Sequence, residues 1–349
     1  MRPGRINIGV TGLNATDNPG PGIPVIRALR ESGLFELRVI GLCYETLEPG
    51  IYLHELVDKT YQIPLPTEGT EKLITRLEYI QSQEQLHVII PNFDSELFNF
   101  IKIADRLLEQ LGIRTFLPTP EQFEARQKTN LSEFGKEHGI KVPRSKTIHR
   151  ASEVEALEEE FDYPLVVKGK FYDATVAYNA EQAEAAFHRI SSKWGAPIII
   201  QEFIQGEEVN VTALGDGKGR AIGLVPMRKQ YITDKGKAWS GISIDDPELL
   251  NIAGALISST QWRGGMELEM IRTDKDEYFL LEINPRFPAW IFLAVGCGQN
   301  HPEALLRMAL GETVEPFSGY EAGKLFVRYS YDLIVGLDEY AKISTQGEL

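Results

Sequence analysis

The first 118 residues alternate between strand-like and helix-like patterns. Four apolar runs have the length of strands: "INIGVTG" at 6–12, "ELRVIGLCY" at 36–44, "LHVIIPNF" at 86–93 and "IRTFLP" at 113–118. Helical patterns separate some of them, at 18–32 and at 95–112, and the second pattern ends at Gly112. Because strands that alternate with helices form parallel sheets covered on both faces, we predict a doubly wound α/β domain over residues 1–118.

Composition excludes several classes of protein. A chain of 349 residues with 43% hydrophobic and 25% charged residues has room for two or three ordinary globular domains. A net charge of −14 and a pI near 5.0 argue against nucleic acid or an anionic membrane as the main partner. Cys43 and Cys297 stand alone in apolar contexts, so neither a disulfide framework nor a cysteine metal site is indicated. With no apolar run of membrane-spanning length and no leader pattern, we expect a cytoplasmic protein.

The rest of the chain has a different pattern. A compact section at 161–204 gives strand, helix and strand, and residues 207–284 are mostly strands, interrupted by a helix at about 247–261. A final helical pattern, "HPEALLRMALGE", precedes an irregular segment with one strand-like piece, "KLFVRYSYDL". We predict a second domain over 119–315, with a small lid at 161–204, and a C-terminal tail over 316–349.

A polar cluster, "TDKDE", separates two alternating runs, "GGMELEMIR" and "YFLLEINPR", and this pattern predicts a hairpin. If the turn is centred between Lys275 and Asp276, Glu269 faces Glu282 and Glu267 faces Asn284. Like charges directly opposite repel, so a cation between them would explain the arrangement. Carboxylate and amide oxygens suit Mg²⁺ or Mn²⁺. The alternative is a solvated outer face of the hairpin, and a slip of one residue would scatter the set.

Basic residues provide candidate anion sites. Lys168 ends the apolar run "YPLVVK", where it either contacts a phosphate or extends to water. Lys128 lies on or beside a helical pattern, and considered alone it is better explained as a surface lysine. The stretch "PMRKQYITDKGKAWSG" predicts a mobile basic loop for phosphate or carboxylate, with a solvated charge run as the alternative; its basic residues are Arg228, Lys229, Lys235 and Lys237.

Other motifs are weak or missing. The link Glu202–Phe203–Ile204 could offer backbone groups to a purine and Glu208 could hold ribose hydroxyls, although a plain hairpin explains them equally well. The turn "GVTGLNATDNPGPG" does not fit the dinucleotide fingerprint G-x-G-x-x-G. The sequence has neither the zinc-protease motif nor the serine-hydrolase elbow.

Taken in order, these features resemble the ATP-grasp superfamily, in its biotin carboxylase and carbamoyl-phosphate synthetase-like branch, from about residue 6 to 310. The resemblance implies an N-terminal pre-ATP-grasp domain followed by a two-lobed α+β ATP-grasp domain. It also implies ATP with Mg²⁺ or Mn²⁺. ATP would meet Lys128, Lys168 and the link Glu202–Phe203–Ile204, with Glu208 at the ribose. The metal would be held by Glu269, Glu282 and Asn284, and Arg286 would meet phosphate or an acyl phosphate.

The sequence departs from the family at two places. The segment after the second lysine, "KGKFYDATVAYN", has one glycine where relatives carry a glycine-rich flap, so Lys170 would supply a side-chain contact to the phosphates or the flap would cover ATP less tightly. Trp239 stands where a catalytic histidine or arginine is common, which argues against bicarbonate chemistry. The role of Glu267 is not assigned by the resemblance.

The favoured function is a carboxylate–amine ligase that forms an acyl phosphate and then an amide or peptide bond. Its partners would be small-molecule or peptide carboxylates and amines, with Arg286, Arg228 and Lys237 stabilising the acyl phosphate. Asn14, Asp17, Asp94 and Glu96 would face the cleft and help to bind substrate, and Trp239, Trp290 and Phe287 would line an acceptor pocket or belong to the core. The alternatives are a bicarbonate- or carbamate-activating enzyme and a non-catalytic MgATP-binding module. Relatives are often dimers, so a homodimer is a further expectation.

Overall fold

The computed structural model describes residues 4–15, 19–154, 156–157, 160–170, 173–233 and 236–349. The chain divides into two compact units. The first unit comprises Met1–Phe123, Asn210–Leu268 and Asn284–Leu349, and the second comprises Glu124–Val209 and Glu269–Ile283. The predicted boundaries at residues 118 and 315, and the lid at 161–204, stay predictions.

The N-terminal part of the first unit is a parallel sheet with helices on both faces. Its elements are β1 (Ile6–Val10), α1 (Gly22–Ser32), β2 (Leu37–Cys43), β3 (Lys59–Gln62), α2 (Thr70–Glu84), β4 (Val88–Ile90) and α3 (Asp94–Leu111). The strand order is β3-β2-β1-β4, and all three pairings are parallel. One buried cluster joins Ile8 and Val10 to α1 residues such as Ile26, and another joins Ile40 and Ile89 to residues of α2 and α3. The predicted doubly wound class is confirmed.

Two elements of this domain differ from the prediction. Strand β3, "KTYQ", is short and half polar, so its sequence has no strand signal, yet it pairs with β2 from Ile40↔Lys59 to Cys43↔Gln62. The predicted strand at 113–118 is reduced to a single bridge, Val88↔Arg114. Sheet edges tolerate both outcomes, because an edge strand needs hydrogen bonds on one side only.

The second unit contains an antiparallel sheet covered by a helix. Helix α4 (Pro120–Ala125) leads into α5 (Leu131–His138), β5 (Ser145–Ile148), β6 (Leu165–Gly169), β7 (Ala174–Ala177), α6 (Ala180–Trp194) and β8 (Ile198–Glu202). The strand order is β5-β8-β6-β7. Asn179 caps α6 by accepting from the Gln182 backbone N–H at 2.9 Å. Phe187 and Ile190 of α6 share a buried core with Leu165 of β6.

The remaining strands form a six-stranded sheet. The elements are β9 (Glu207–Asp216), β10 (Ala221–Ile232), β11 (Ala238–Ser243), α7 (Pro247–Thr260), β12 (Arg263–Arg272), β13 (Tyr278–Asn284), α8 (Phe292–Gly296), α9 (His301–Ala309), β14 (Leu325–Val327) and α10 (Leu337–Gln346). The strand order is β13-β12-β9-β10-β11-β14. Short 3-10 helices lie at Pro49–Tyr52, Pro66–Glu68 and Ala151–Glu153. Among the helices described, none combines the length and apolar content that crossing a membrane requires.

The predicted hairpin of β12 and β13 is present, with a shifted turn. The Thr273 N–H donates to the Glu277 carbonyl at 2.9 Å, which centres the turn on Lys275 rather than between Lys275 and Asp276. Asp276 has a φ of 56°, and aspartate is one of the few residues that adopt this left-handed conformation readily. The left-handed residue adds one position to the turn, and the predicted centre was therefore wrong.

The C-terminal segment is more ordered than an irregular tail. β14 pairs antiparallel with β11, with Ile242 opposite Leu325. The last residues form a bridge to β3, because Thr60 and Leu349 exchange backbone hydrogen bonds at 2.9 and 3.0 Å. The C-terminal residues therefore cover the outer edge of the N-terminal sheet.

Candidate functional site

A cluster of lysines and carboxylates lies in the second unit. The Nζ atom of Lys128 is 3.2 Å from Oε2 of Glu282, and both side chains are mostly shielded, at 20% and 29% exposed. Burial, together with the neighbouring Lys128 charge, lowers the pKa of Lys168 to about 8, although Glu282, Glu269 and Glu208 act in the opposite direction. Four predicted residues therefore act electrostatically on the fifth, Lys168. An ammonium group that is partly desolvated beside a second one is suited to a polyanionic ligand.

The alternation of β6 places Lys168 in this cluster. Leu165 and Val167 point into the core beneath α6, so Val166 and Lys168 point to the opposite face of the sheet. Lys168 lies opposite Ile199 of β8 and Ala174 of β7, so its backbone is held on both sides. This pairing keeps the lysine at a fixed position in the sheet.

The predicted adenine link lies between β8 and β9. Glu202 is the last residue of β8, and its carboxylate accepts from the backbone N–H and Nε of Arg144, at 3.2 and 3.3 Å. Phe203 is 38% exposed and Ile204 is partly buried. Lys170 is exposed just past β6, and its neighbours Phe171 and Tyr172 lie outside the described residues.

The predicted mobile basic loop is a hairpin. Arg228 and Lys229 lie on strand β10, where Arg228 is opposite Ile242 of β11, so the prediction of a loop was wrong for these two residues. Antiparallel pairing satisfies their backbone groups, and this long-range pairing has no local sequence signal. Lys237 is exposed in the turn, where it bonds Thr233, and Lys235 lies outside the described residues. Trp239 is on β11.

Glu267 is the centre of a buried hydrogen-bond cluster in the first unit. The residue is 5% exposed, and its Oε1 accepts from Asn210 Nδ2 at 2.9 Å and from Trp290 Nε1 at 2.7 Å. Its Oε2 accepts from Asn284 Nδ2 at 3.1 Å, so these two side chains are in contact although the predicted turn centre was wrong. Trp290 and Phe287 are 5% and 2% exposed, so they belong to the core and the predicted acceptor pocket does not include them. The alternation of β9 and β12 gives no hint of the Trp290 contact.

Arg286 also has a partner in the first unit. Its Nε and Nη2 donate to Oδ2 of Asp94 at 2.8 and 2.7 Å, and its Nη1 donates to the Phe287 carbonyl at 3.1 Å. Asp94 is the first residue of α3. The predicted phosphate-binding arginine is thus held by a predicted substrate-binding residue that precedes it by nearly two hundred positions.

The other predicted substrate residues have different placements. Glu96 is 1% exposed and accepts from the backbone N–H groups of Asn92 and Phe93, at 2.8 and 2.9 Å, and from the Thr11 and Tyr44 hydroxyls. Burial raises the pKa of Glu96 to about 7 against these hydrogen bonds. The prediction that Glu96 faces a cleft was therefore wrong, because its carboxylate caps α3 internally. Asn14 is partly buried after β1, and Asp17 lies outside the described residues.

Carboxylates of the described residues do not by themselves form a metal site. Within the described ranges, no three side chains of His, Cys, Asp or Glu gather in an arrangement that could hold a metal ion. The predicted set differs in kind, because it combines the carboxylates of Glu269 and Glu282 with the amide of Asn284. It stays a prediction.

Two sequence families match the chain. The family described as "ATP-grasp in the biosynthetic pathway with Ter operon" matches residues 195–326, and the "Phosphoribosylglycinamide synthetase, ATP-grasp (A) domain" matches residues 126–234. A biotin carboxylase from Campylobacter jejuni, solved as a βγ-ATP complex, superposes with a TM-score of 0.71 at 16% identity, covering 91% of this chain and 74% of that one. Both family models are ATP-grasp domains, and together they match residues 126–326. The α/β fold, with a parallel N-terminal sheet followed by antiparallel sheets, agrees with the similarity to this solved structure.

Curated relatives of the chain are distant in sequence. The carbamoyl phosphate synthase large chain of Agathobacter rectalis is 22% identical over 287 residues, which cover 77% of this chain and 25% of that protein. The D-alanine–D-alanine ligase of Chromohalobacter salexigens is 24% identical over 169 residues, which cover 45% of this chain and 54% of that protein. The chain therefore spans a quarter to about half of the length of these relatives.

Proposed function

We propose that the chain is an ATP-dependent ligase that activates a substrate carboxylate as an acyl phosphate and joins it to an amine. The observation that carries the proposal is the cluster of Lys128, Lys168, Glu208, Glu269 and Glu282, in which partly desolvated ammonium groups lie beside carboxylates. Transfer of a phosphoryl group depends mainly on positioning and on positive charge. This cluster provides both.

The lysines and the strand link would bind ATP. Lys128 and Lys168 would contact the phosphates, with Lys170 supplying the contact that a glycine-rich flap makes elsewhere in the superfamily. The backbone of Glu202–Phe203–Ile204 would meet the purine, and Glu208 the ribose hydroxyls. The Arg144 hydrogen bonds support this assignment, because they hold the Glu202 side chain and leave recognition of the purine to the backbone of the link.

The donor set fits a hard divalent cation. Glu269 and Glu282 offer carboxylate oxygens and Asn284 an amide oxygen, and these are the ligands that Mg²⁺ and Mn²⁺ prefer. When bound, the metal would neutralise negative charge on the phosphate oxygens. Lys128 Nζ, 3.2 Å from Glu282 Oε2, would hold this carboxylate in place before the metal binds.

The reaction would have two steps. A carboxylate oxygen of the acid attacks the γ-phosphorus of ATP, the bond to the β-γ bridging oxygen breaks, and ADP leaves. The amine then attacks the acyl carbon, an amide bond forms, and phosphate and a proton are released. Arg286, Arg228 and Lys237 would stabilise the negative charge of the acyl phosphate.

A second candidate is activation of bicarbonate or carbamate. It is favoured by the similarity to a carbamoyl phosphate synthase and to a biotin carboxylase. Against it, Trp239 occupies the position on β11 where an ionisable side chain would be expected for bicarbonate. An indole N–H cannot take up or release a proton at neutral pH.

ADP release measured across a matrix of acids and amines tests these alternatives. The ligase predicts ADP only where an acid and an amine are supplied together. ADP formed with bicarbonate alone would favour the second candidate. MgATP binding without ADP formation for any combination of acid and amine would favour the non-catalytic module.

A further inference from the structure

Glu267 has a role beyond filling space in the core. It is a carboxylate at 5% exposure, and burial of an ionised group is costly unless hydrogen bonds compensate it. Its described donors come from strand β9, from strand β13 and from the segment after Pro285: Asn210, Asn284 and Trp290. A residue that joins three separate parts of one unit fixes how their side chains are oriented.

Both asparagines donate to Glu267 from the NH₂ group of their side-chain amide. The Nδ2 atom of Asn284 donates to Oε2 at 3.1 Å, and the Nδ2 atom of Asn210 donates to Oε1 at 2.9 Å. A carboxylate can only accept, so it selects the NH₂ end of each amide. The carbonyl oxygen of each amide is therefore turned away from Glu267.

Asn210 shows the consequence directly. It is 1% exposed, and its Oδ1 is buried and has no hydrogen-bond partner among the described residues. The amide keeps its hydrogen bond to Glu267 even though its buried carbonyl oxygen then lacks one, which is costly. Glu267 therefore determines the orientation of this amide. Asn284 donates to Glu267 from the same end of its amide and is 4% exposed.

We propose that Glu267 is a positioning residue that holds the amide of Asn284 with its Oδ1 presented as a ligand for a hard divalent cation. The inference rests on the proposed role of Asn284 in metal binding. Glu267 itself does not touch the metal in this assignment. It sets which of the two amide atoms the metal meets.

Replacement of Glu267 by glutamine should reverse which end of the Asn284 amide faces residue 267. The introduced carbonyl oxygen can take over the bonds from Asn210 and Trp290, and the introduced NH₂ then faces Asn284. Two NH₂ groups cannot bond one another, so Asn284 must rotate and present its own NH₂ to the cation. Loss of a partner that orients a metal ligand typically weakens metal affinity by about 10- to 100-fold.

The test is Mn²⁺ binding in the presence of ADP, measured by the loss of the free Mn²⁺ signal in electron paramagnetic resonance. We expect E267Q to bind Mn²⁺ about 10- to 100-fold more weakly than the wild type. The double variant E267Q/N284D should regain most of the affinity, because a carboxylate at position 284 can accept from the introduced NH₂ and still offer an oxygen to the metal. The pair then carries the same total charge as in the wild type.

The matched control is E84Q. Glu84 is also a buried glutamate of the first unit, at 8% exposure, and it bonds Arg38 and Tyr61 rather than an amide. E84Q should bind Mn²⁺ as the wild type does, whatever it costs in stability. Equal affinity of E267Q and wild type, or a double variant no better than E267Q, would overturn the positioning role. A wild type that binds no Mn²⁺ with ADP would overturn the metal assignment, and the positioning role with it.

Discussion

Arg286 donates from both Nε and Nη2 to a single oxygen of Asp94, at 2.8 and 2.7 Å. The arginine side chain is 15% exposed and the aspartate 31%, so the pair is shielded from most of the solvent. Asp94 opens helix α3, where a negative charge also interacts favourably with the helix dipole. The pair fixes the direction of the guanidinium group that we assign to the acyl phosphate.

Substitution of Asp94 by asparagine should misplace Arg286. The neutral amide removes a charge-assisted contact, which typically contributes about 1.5 to 3 kcal/mol. If Arg286 acts on the acyl phosphate, we expect kcat/KM for ADP formation to fall by roughly 10- to 100-fold. The matched control is D58N, because the Arg30–Asp58 pair has similar exposure, at 28% and 31%. Equal losses in both variants would contradict a role for Asp94 at the site.

Replacement of Lys168 by methionine should weaken nucleotide binding. One charged contact to phosphate typically contributes about 1.5 to 3 kcal/mol, so we expect roughly 10- to 100-fold weaker binding of ADP with Mg²⁺ in calorimetry. Lys146, on β5 of the same sheet, bonds Glu160, and K146M is the control that should leave the affinity unchanged. A K168M variant that binds as tightly as K146M would exclude Lys168 from the phosphate site.

Glu96 should make stability depend on pH. Burial raises its pKa from 4.5 to about 7 in the folded protein, so between these values the folded state keeps a proton that the unfolded chain has released. The stabilising contribution is therefore present below about pH 4.5 and declines as pH rises towards 7. A pKa shift of this size corresponds to a change of about 3 kcal/mol in the free energy of unfolding.

Urea unfolding of wild type and E96Q at several pH values between 5 and 7.5 measures this contribution. The glutamine does not titrate, so the difference in unfolding free energy between the two proteins should change with pH by most of that amount. The wild type should lose stability relative to E96Q as the pH rises. Parallel pH profiles would show that Glu96 does not titrate in this range.

Arg76 should control the pairing of the C-terminal residues with β3. Its Nε donates to the Gln62 carbonyl and its Nη2 to the Gly347 carbonyl, both at 2.8 Å. In R76A we expect faster hydrogen exchange at the backbone amides of Thr60 and Gln62, which bond Leu349 and Gly347. E78A, at an exposed position of the same helix, should leave these rates unchanged. Unchanged exchange in R76A would show that the bridge holds without the arginine.

The sequence predicts those parts of the fold whose signals are local. The periodic run at 95–112 became α3, ending at Gly112, because one apolar face and a left-handed glycine specify such a helix without help from the rest of the chain. Strand β3, with the sequence "KTYQ", could not be predicted, because its strand character comes from pairing with β2 and with the C-terminal residues.

Those parts of the candidate site could be predicted in which the alternation of side chains along a strand determines which residues share a face. Glu267 and Asn284 were expected to face each other, and they share a hydrogen bond. The partnership of Arg286 with Asp94 and that of Glu267 with Trp290 have no such signal, since they depend on tertiary packing. For Glu96 the local signal was misleading. A carboxylate shortly after a strand predicted a substrate-binding residue, whereas in the structure it is a buried cap of helix α3.

In the proposed reaction a substrate carboxylate attacks ATP. The fate of the attacking oxygen can be followed by supplying the acid with ¹⁸O in its carboxylate, together with an amine that supports ADP release, and by analysing the released phosphate by mass spectrometry. The acyl phosphate mechanism predicts one ¹⁸O atom in each phosphate, because the attacking oxygen leaves with the phosphoryl group when the amide forms. Amide product accompanied by unlabelled phosphate would contradict it.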